Sequence, residues 1–202
     1  MEFLQDVLHF WFGPKDAAKY GDPRSIWFES TEKQDAEIRD RFLTTYEHAA
    51  TGALDKHKTD AEGCLALIIT LDQFPRNMFR GTARSFEEDE RALEHARWAV
   101  ARGFDEGYPS LIRIFFYLPF EHSEELQDQQ RCMDLTHALL DYENKPRNIK
   151  FAQRHLEIIE RFGRFSHRNE ILSRDSTLEE TEFLKEPDSS FIWPKHRQNR
   201  SL

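Results

Sequence analysis

The sequence predicts an all-α fold, about eight helices arranged as stacked antiparallel hairpins. Three observations predict it. Apolar residues recur three and four apart, as on one face of a helix, and strict two-residue alternation of the strand type is absent. Ser/Thr-x-x-Glu/Gln signatures stand where apolar stripes begin, each fitting a capping box. Gly and Pro punctuate the stripes at short intervals, and short connections favour antiparallel neighbours. No sequence repeat appears at a period of about 33–47 residues, so any repeat is structural.

A first helix near 2–12 stops at Gly13-Pro14. The second, near 31–51, opens with Thr31-x-x-Gln34, carries Ile38, Phe42, Tyr46 and Ala49 on one face, and stops at Gly52. A third near 61–73 leads into a loop through Gly81. The fourth, near 86–102, follows Ser85-x-x-Glu88 and shows the stripe Phe86, Leu93, Ala96, Val100 before Gly103. Gly107-Tyr108-Pro109 precedes a helix near 109–118. Leu126, Met133, His137 and Leu140 mark one near 123–142. Phe151, Ile158 and Phe162 mark another near 148–162, between Lys145-Pro146 and Gly163. The last, near 176–185, opens with Ser176-x-x-Glu179. Residues 1–191 read as one helical domain. Residues 192–202 have no stripe and a positive balance, as in a flexible tail.

Composition bounds the function. A chain of 202 residues fits one domain, and 17 Phe with 39% apolar residues exclude intrinsic disorder. A net charge of −9 disfavours nucleic acid and anionic membrane surfaces as partners, since both are held through Lys and Arg. The charge is uneven: residues 145–174 hold eight Lys and Arg against three Glu, which suits a small anion in a local basic cleft. Met1 to Asp6 lack the basic and apolar regions of a signal peptide. The apolar runs Leu65–Leu71 and Ile114–Phe120 fall short of the roughly 18–20 residues of a membrane span. A soluble cytoplasmic protein is the expectation. Cys64 and Cys132 are too few for a disulfide scaffold and form no CxxC pair.

The informative residues are polar groups on apolar stripes: Asp72 after Leu65 and Ile68, Arg113 within Leu111–Phe116, Gln129 and Gln130 between Leu126 and Met133, and His155 between Phe151 and Ile158. Burying them costs free energy unless they are paired. Either they pair with one another and fix the helix packing, or they converge on a pocket. Three polar-aromatic segments favour a pocket: 71–81, 116–124 and 161–169. Each joins large aromatics to guanidinium, imidazole or carboxylate groups at a turn, which suits loops gathered at one end of a helical stack. Buried cysteines are poor nucleophiles, and no GxSxG elbow, Gly-rich phosphate loop or HExxH motif is present. The spacing of Asp72, Glu121, His122, His155 and His167 supports no metal site, and no cofactor is implied.

At these segments the sequence resembles the bacterial family of domain of unknown function 924 (DUF924). The matching stretches are LALIITLDQFPRNMFRGTARSFEED at 65–89, FFYLPFEHSEELQDQQ at 115–130 and HLEIIERFGRFSHRNEILSRDSTLEETEFL at 155–184, with VLHFWFG at 7–13 and Ser189-Ser190-Phe191. The resemblance implies a helical fold similar to tetratricopeptide-repeat (TPR) proteins, and no established activity. Glu121 stands where the family often carries an apolar residue such as Met, so the resemblance implies no catalytic role for it. Ser166 replaces a Pro and Ser173 a Gly. His122, Arg164, His167, Arg168 and Asn169 match the pattern.

Two functions remain open. One is a site for a small anionic molecule, with Asp72, Arg76, Arg80, Gln130, Arg164, His167, Arg168 and Asn169 binding it and His122 or His155 as acid/base. The other is a TPR-like scaffold presenting a concave apolar or Arg-rich face to a peptide or protein partner. The sequence leaves the oligomeric state open.

Overall fold

The protein is seen in a computed structural model that describes residues 2–140, 142–187 and 189–191, excepting the side chains of Glu2 and Phe3. The expected tail at 192–202 lies outside the described residues. Among the described residues there are helices and turns and no strand. The helices are α1 (Glu2–Phe12), α2 (Ser25–Phe28), α3 (Glu32–Ala50), α4 (Ala61–Ile68), α5 (Phe74–Met78), α6 (Asp89–Val100), α7 (Ser110–Glu121), α8 (Leu126–Ala138), α9 (Lys145–Phe162) and α10 (Leu178–Phe183). Consecutive helices from α6 to α9 pack on one another, and α3 and α1 pack on the α4–α5 rod. That arrangement is compatible with stacked hairpins.

The aromatic residues explain the core. Ile38, Phe42, Tyr46 and Ala49 are buried, as the α3 stripe predicts. Phe42 stacks on Phe74 with ring centroids 4.7 Å apart, Trp11 meets Phe74 edge-on, and Phe12 and Trp27 both meet Phe115. Each such ring removes a large apolar area from water, so this cluster ties α1, α2, α3, α5 and α7 together. Thr31 and Gln34 form the expected capping box. At α10 the box is one residue later than predicted, Thr177 with Glu180, because the Glu180 side chain is the one turned inward. Ser85 caps no helix; its hydroxyl donates to the Thr82 carbonyl in a 3₁₀ turn that precedes α6.

Two helices run past the ends expected of them. The α4 helix does not end at Gln73: a π-helical turn over Ile69–Gln73 carries it into α5. Pro75 sits at the start of that segment, where its missing N–H costs little. Similarly, α7 runs through Pro119 to Glu121, because nearly every residue from Ile112 onward is buried and packing outweighs one lost hydrogen bond. The α8 stripe is corrected too. His137 is exposed, as are Leu126 and Leu140, and the inward face is Asp128, Gln129, Cys132 and Thr136. That face is polar for a reason: Gln129 Nε2 donates to the Glu121 carbonyl at 2.7 Å and the Ser123 carbonyl at 2.6 Å, satisfying acceptors freed where α7 ends.

Candidate functional site

The widened π turn places Asp72 in the interior, fully buried. Its carboxylate accepts from Gln73 Nε2 at 2.5 Å and lies 2.7 Å from His122 Nδ1 and 3.1 Å from Arg76 Nη1. Burial alone would raise its pKa, but Arg76 and His122 hold it well below the usual carboxylate range. His122 follows the last residue of α7. Burial and then the Arg76 charge lower its pKa, so the ring is neutral near pH 7. A neutral imidazole has one N–H and a carboxylate only accepts, so the proton sits on Nδ1 and the Nε2 lone pair is free.

On the second wall, α9 supplies His155. Its Nδ1 lies 2.9 Å from the Phe151 carbonyl, to which it donates, and 3.3 Å from Glu121 Oε1. Phe191 stacks on the His155 ring at 3.6 Å, and burial pushes this imidazole well below its ordinary pKa. Glu121 is pushed up to about 8, by burial first and by Asp72 second, so its carboxyl group keeps its proton at neutral pH. Burial likewise raises Cys132 well above 9 and Cys64 to about 11, so neither is a thiolate.

The third wall is the turn after α9. Gly163 closes that helix at φ +66°, and Glu180 then organises the turn. Glu180 accepts from Arg164 Nε at 2.7 Å, Ser166 Oγ at 3.1 Å and Asn169 Nδ2 at 3.1 Å. Glu124 fixes it from the other side, accepting from the Phe165 N–H and from Arg174. Between these anchors Arg168 turns inward. Its Nη1 donates to Asp89 at 3.2 Å and its Nη2 to the His122 carbonyl at 3.1 Å. Its buried Nε has no hydrogen-bond partner among the described residues, and neither has His167 Nδ1. Burial lowers Arg168 to about 10, still cationic at pH 7. Burial and Arg168 lower His167 to about 3.

These walls border a partly open cavity of about 400 Å³. Of the predicted site residues, Arg76, Arg80, His122, His155, His167 and Arg168 line it. Asp72 stands behind His122. The remainder do not line it. Gln130 is exposed on α8, one residue from the buried Gln129. Arg164 is bound to Glu180 away from the cavity, and Asn169 is spent on Ser176, Glu180 and Arg174. Arg80 reaches the cavity but is tied to Asp35 at 2.9 Å. Arg113 is a packing residue, paired with Asp105 at 2.8 Å and Tyr117 at 3.1 Å. Sequence reading undervalued Glu121 and missed Trp27 and Phe28, which also line the cavity. The signal for Glu121 was its place one turn beyond Leu118 on the same face. Among the described residues no group of three or more His, Cys, Asp or Glu side chains is set to hold a metal ion.

Comparison with known proteins finds one family model, described as bacterial protein of unknown function (DUF924), matching residues 7–188. A solved structure of a protein of unknown function from Agrobacterium tumefaciens is 39% identical to this chain. The match covers 91% of this chain and 97% of that one, with a TM-score of 0.79. No curated protein matches.

Proposed function

We propose, from the premise that this chain belongs to the DUF924 family of bacterial proteins, that it binds a small anionic molecule and performs general-base chemistry on it. The observation that carries the reading is the buried Asp72–His122 pair, 2.7 Å apart, at the wall of a partly open cavity. His122 Nε2 takes a proton from water or from the bound molecule. Asp72 keeps the ring in the Nδ1–H tautomer and stabilises the imidazolium that forms. Arg168 Nε, without a partner among the described residues, supplies a donor for the anion, and His167 Nδ1, likewise unpartnered, supplies a second in its Nδ1–H tautomer. The protonated Glu121 carboxyl donates within the same space.

The alternative is the scaffold reading, a peptide or protein partner held on an apolar or Arg-rich face. Among the described residues the large exposed apolar side chains are Trp98, Leu126, Leu140, Phe151 and Leu178, and of these Phe151 lines the cavity. No helix among the described residues is long and apolar enough to cross a membrane. Two buried, unpaired cysteines suit a reducing compartment, and we assign the protein to the cytoplasm on that ground.

The test is turnover of p-nitrophenyl esters of acetic, hexanoic and phosphoric acids by the wild type and His122→Asn. General-base catalysis predicts that the variant releases nitrophenolate about 10²-fold more slowly or worse. Equal rates in the two proteins overturn the reading.

A further inference from the structure

The walls of the cavity differ in chemistry along the length of α7. Leu111, Ile114, Leu118 and Glu121 succeed one another at spacings of three, four and three, and all four line the cavity. They therefore form one stripe along about 15 Å of helix axis. Its first three members are aliphatic, and its last, beside His122, is a carboxyl group. Trp27 and Phe28 line the cavity too, packed beside α7 with their rings 5.0 Å and 6.1 Å from Phe115, the residue that follows Ile114. At the Glu121 end the facing groups are His155, 3.3 Å from Glu121, and then His167 and Arg168. A compact polyanion such as phosphate or citrate would leave the aliphatic stretch empty, and an alkane would leave Arg168 Nε unmatched.

We propose that the ligand is an elongated amphiphile. Its straight hydrocarbon chain lies along Leu111, Ile114 and Leu118, and its carboxylate or acyl head lies against Arg168, His167 and His122. The proposal rests on the anion reading of the polar end and adds the class of molecule. The chain contributes apolar burial, about fourfold in affinity for each methylene that reaches the wall. The head contributes charge-assisted hydrogen bonds and places its reacting carbon by His122.

The experiment measures binding of butanoate, hexanoate, octanoate and decanoate to the full chain by titration calorimetry, with 1-octanol and octyl phosphate as comparison ligands. Expected is affinity that climbs with chain length at about fourfold per methylene before levelling off, and octanoate binding at least tenfold more tightly than 1-octanol. Leu111→Glu supplies the second arm. Leu111 is only half-buried, in the first turn of α7, where a carboxylate favours the helix, so the variant folds. It weakens decanoate at least tenfold and leaves butanoate unchanged, because only the longer chain reaches that end. Affinity independent of chain length, or equal losses for both acids, overturns the amphiphile while leaving the anion reading intact. Equal binding of 1-octanol and octanoate overturns both. Tighter binding of octyl phosphate than octanoate replaces the carboxylate head with a phosphate and overturns the head assignment.

Discussion

Glu121 gives the sharpest quantitative prediction, because a protonated carboxyl group in a buried site makes stability depend on pH in a distinctive direction. Replacing it by Gln preserves size and removes the ionisable proton. In the folded protein burial raises the group from 4.5 to about 8. In the unfolded chain it titrates near 4.5. Below pH 4.5 both states hold the proton and the carboxyl costs nothing. As pH rises toward 8 the unfolded state releases the proton while the folded state keeps it, so wild-type stability falls through this window and levels off above it. At about 1.4 kcal/mol per pH unit the loss reaches about 3 kcal/mol at pH 7. Glu121→Gln avoids it. The variant therefore matches the wild type near pH 4.5 and is more stable by about 3 kcal/mol at pH 7. Urea unfolding at both values, read by tryptophan fluorescence, gives the two differences directly. A variant that is equally stable or less stable at pH 7 would refute the assignment of a buried, protonated Glu121.

Asp72→Asn leaves Arg76 and Arg168 sharing the single carboxylate of Asp89, and unfolding measurements should show a loss of about 3–5 kcal/mol, as when a buried ion pair is broken. Arg168→Gln should weaken binding of octanoate tenfold or more in calorimetry, whereas Arg164→Ala, whose partner is Glu180 away from the cavity, should leave it unchanged. Ser173 has φ +54°, the left-handed conformation natural to Gly, so Ser173→Gly should raise stability by about 0.5–1 kcal/mol in urea titrations. Cys64 and Cys132 should resist labelling by a thiol reagent at pH 8 in native protein and react fully once it is unfolded, given their burial and raised pKa values.

The helices were legible because their signals are local. The α3 stripe and the Thr31 cap depend on residues within a few positions of one another, and both are present as read. The failures are tertiary. The helices expected to end near 73 and 118 run on, because a π turn leads into α5 and packing around α7 carries the chain through Pro119. Of the predicted α8 stripe Leu126, His137 and Leu140 are exposed, since the inner face must satisfy the end of α7; this is why Gln129 rather than Gln130 is buried. The site was legible at the level of segments: all three polar-aromatic stretches meet at one cavity. Which arginine of the third segment turns inward was not legible. Arg164 and Arg168 are alike as residues, and the choice is made by Glu180, which holds the first and leaves the second to the cavity.

The most direct test of the central claim is the protonation state of His122 across pH 4–8, read from ¹⁵N chemical shifts of the imidazoles and assigned by the signal lost in His122→Asn. The account predicts a neutral ring at pH 6.5, with Nδ1 carrying the proton toward Asp72 and Nε2 showing the shift of an unprotonated nitrogen. A ring already protonated at pH 7, or one with its proton on Nε2, would contradict a general base poised toward the cavity.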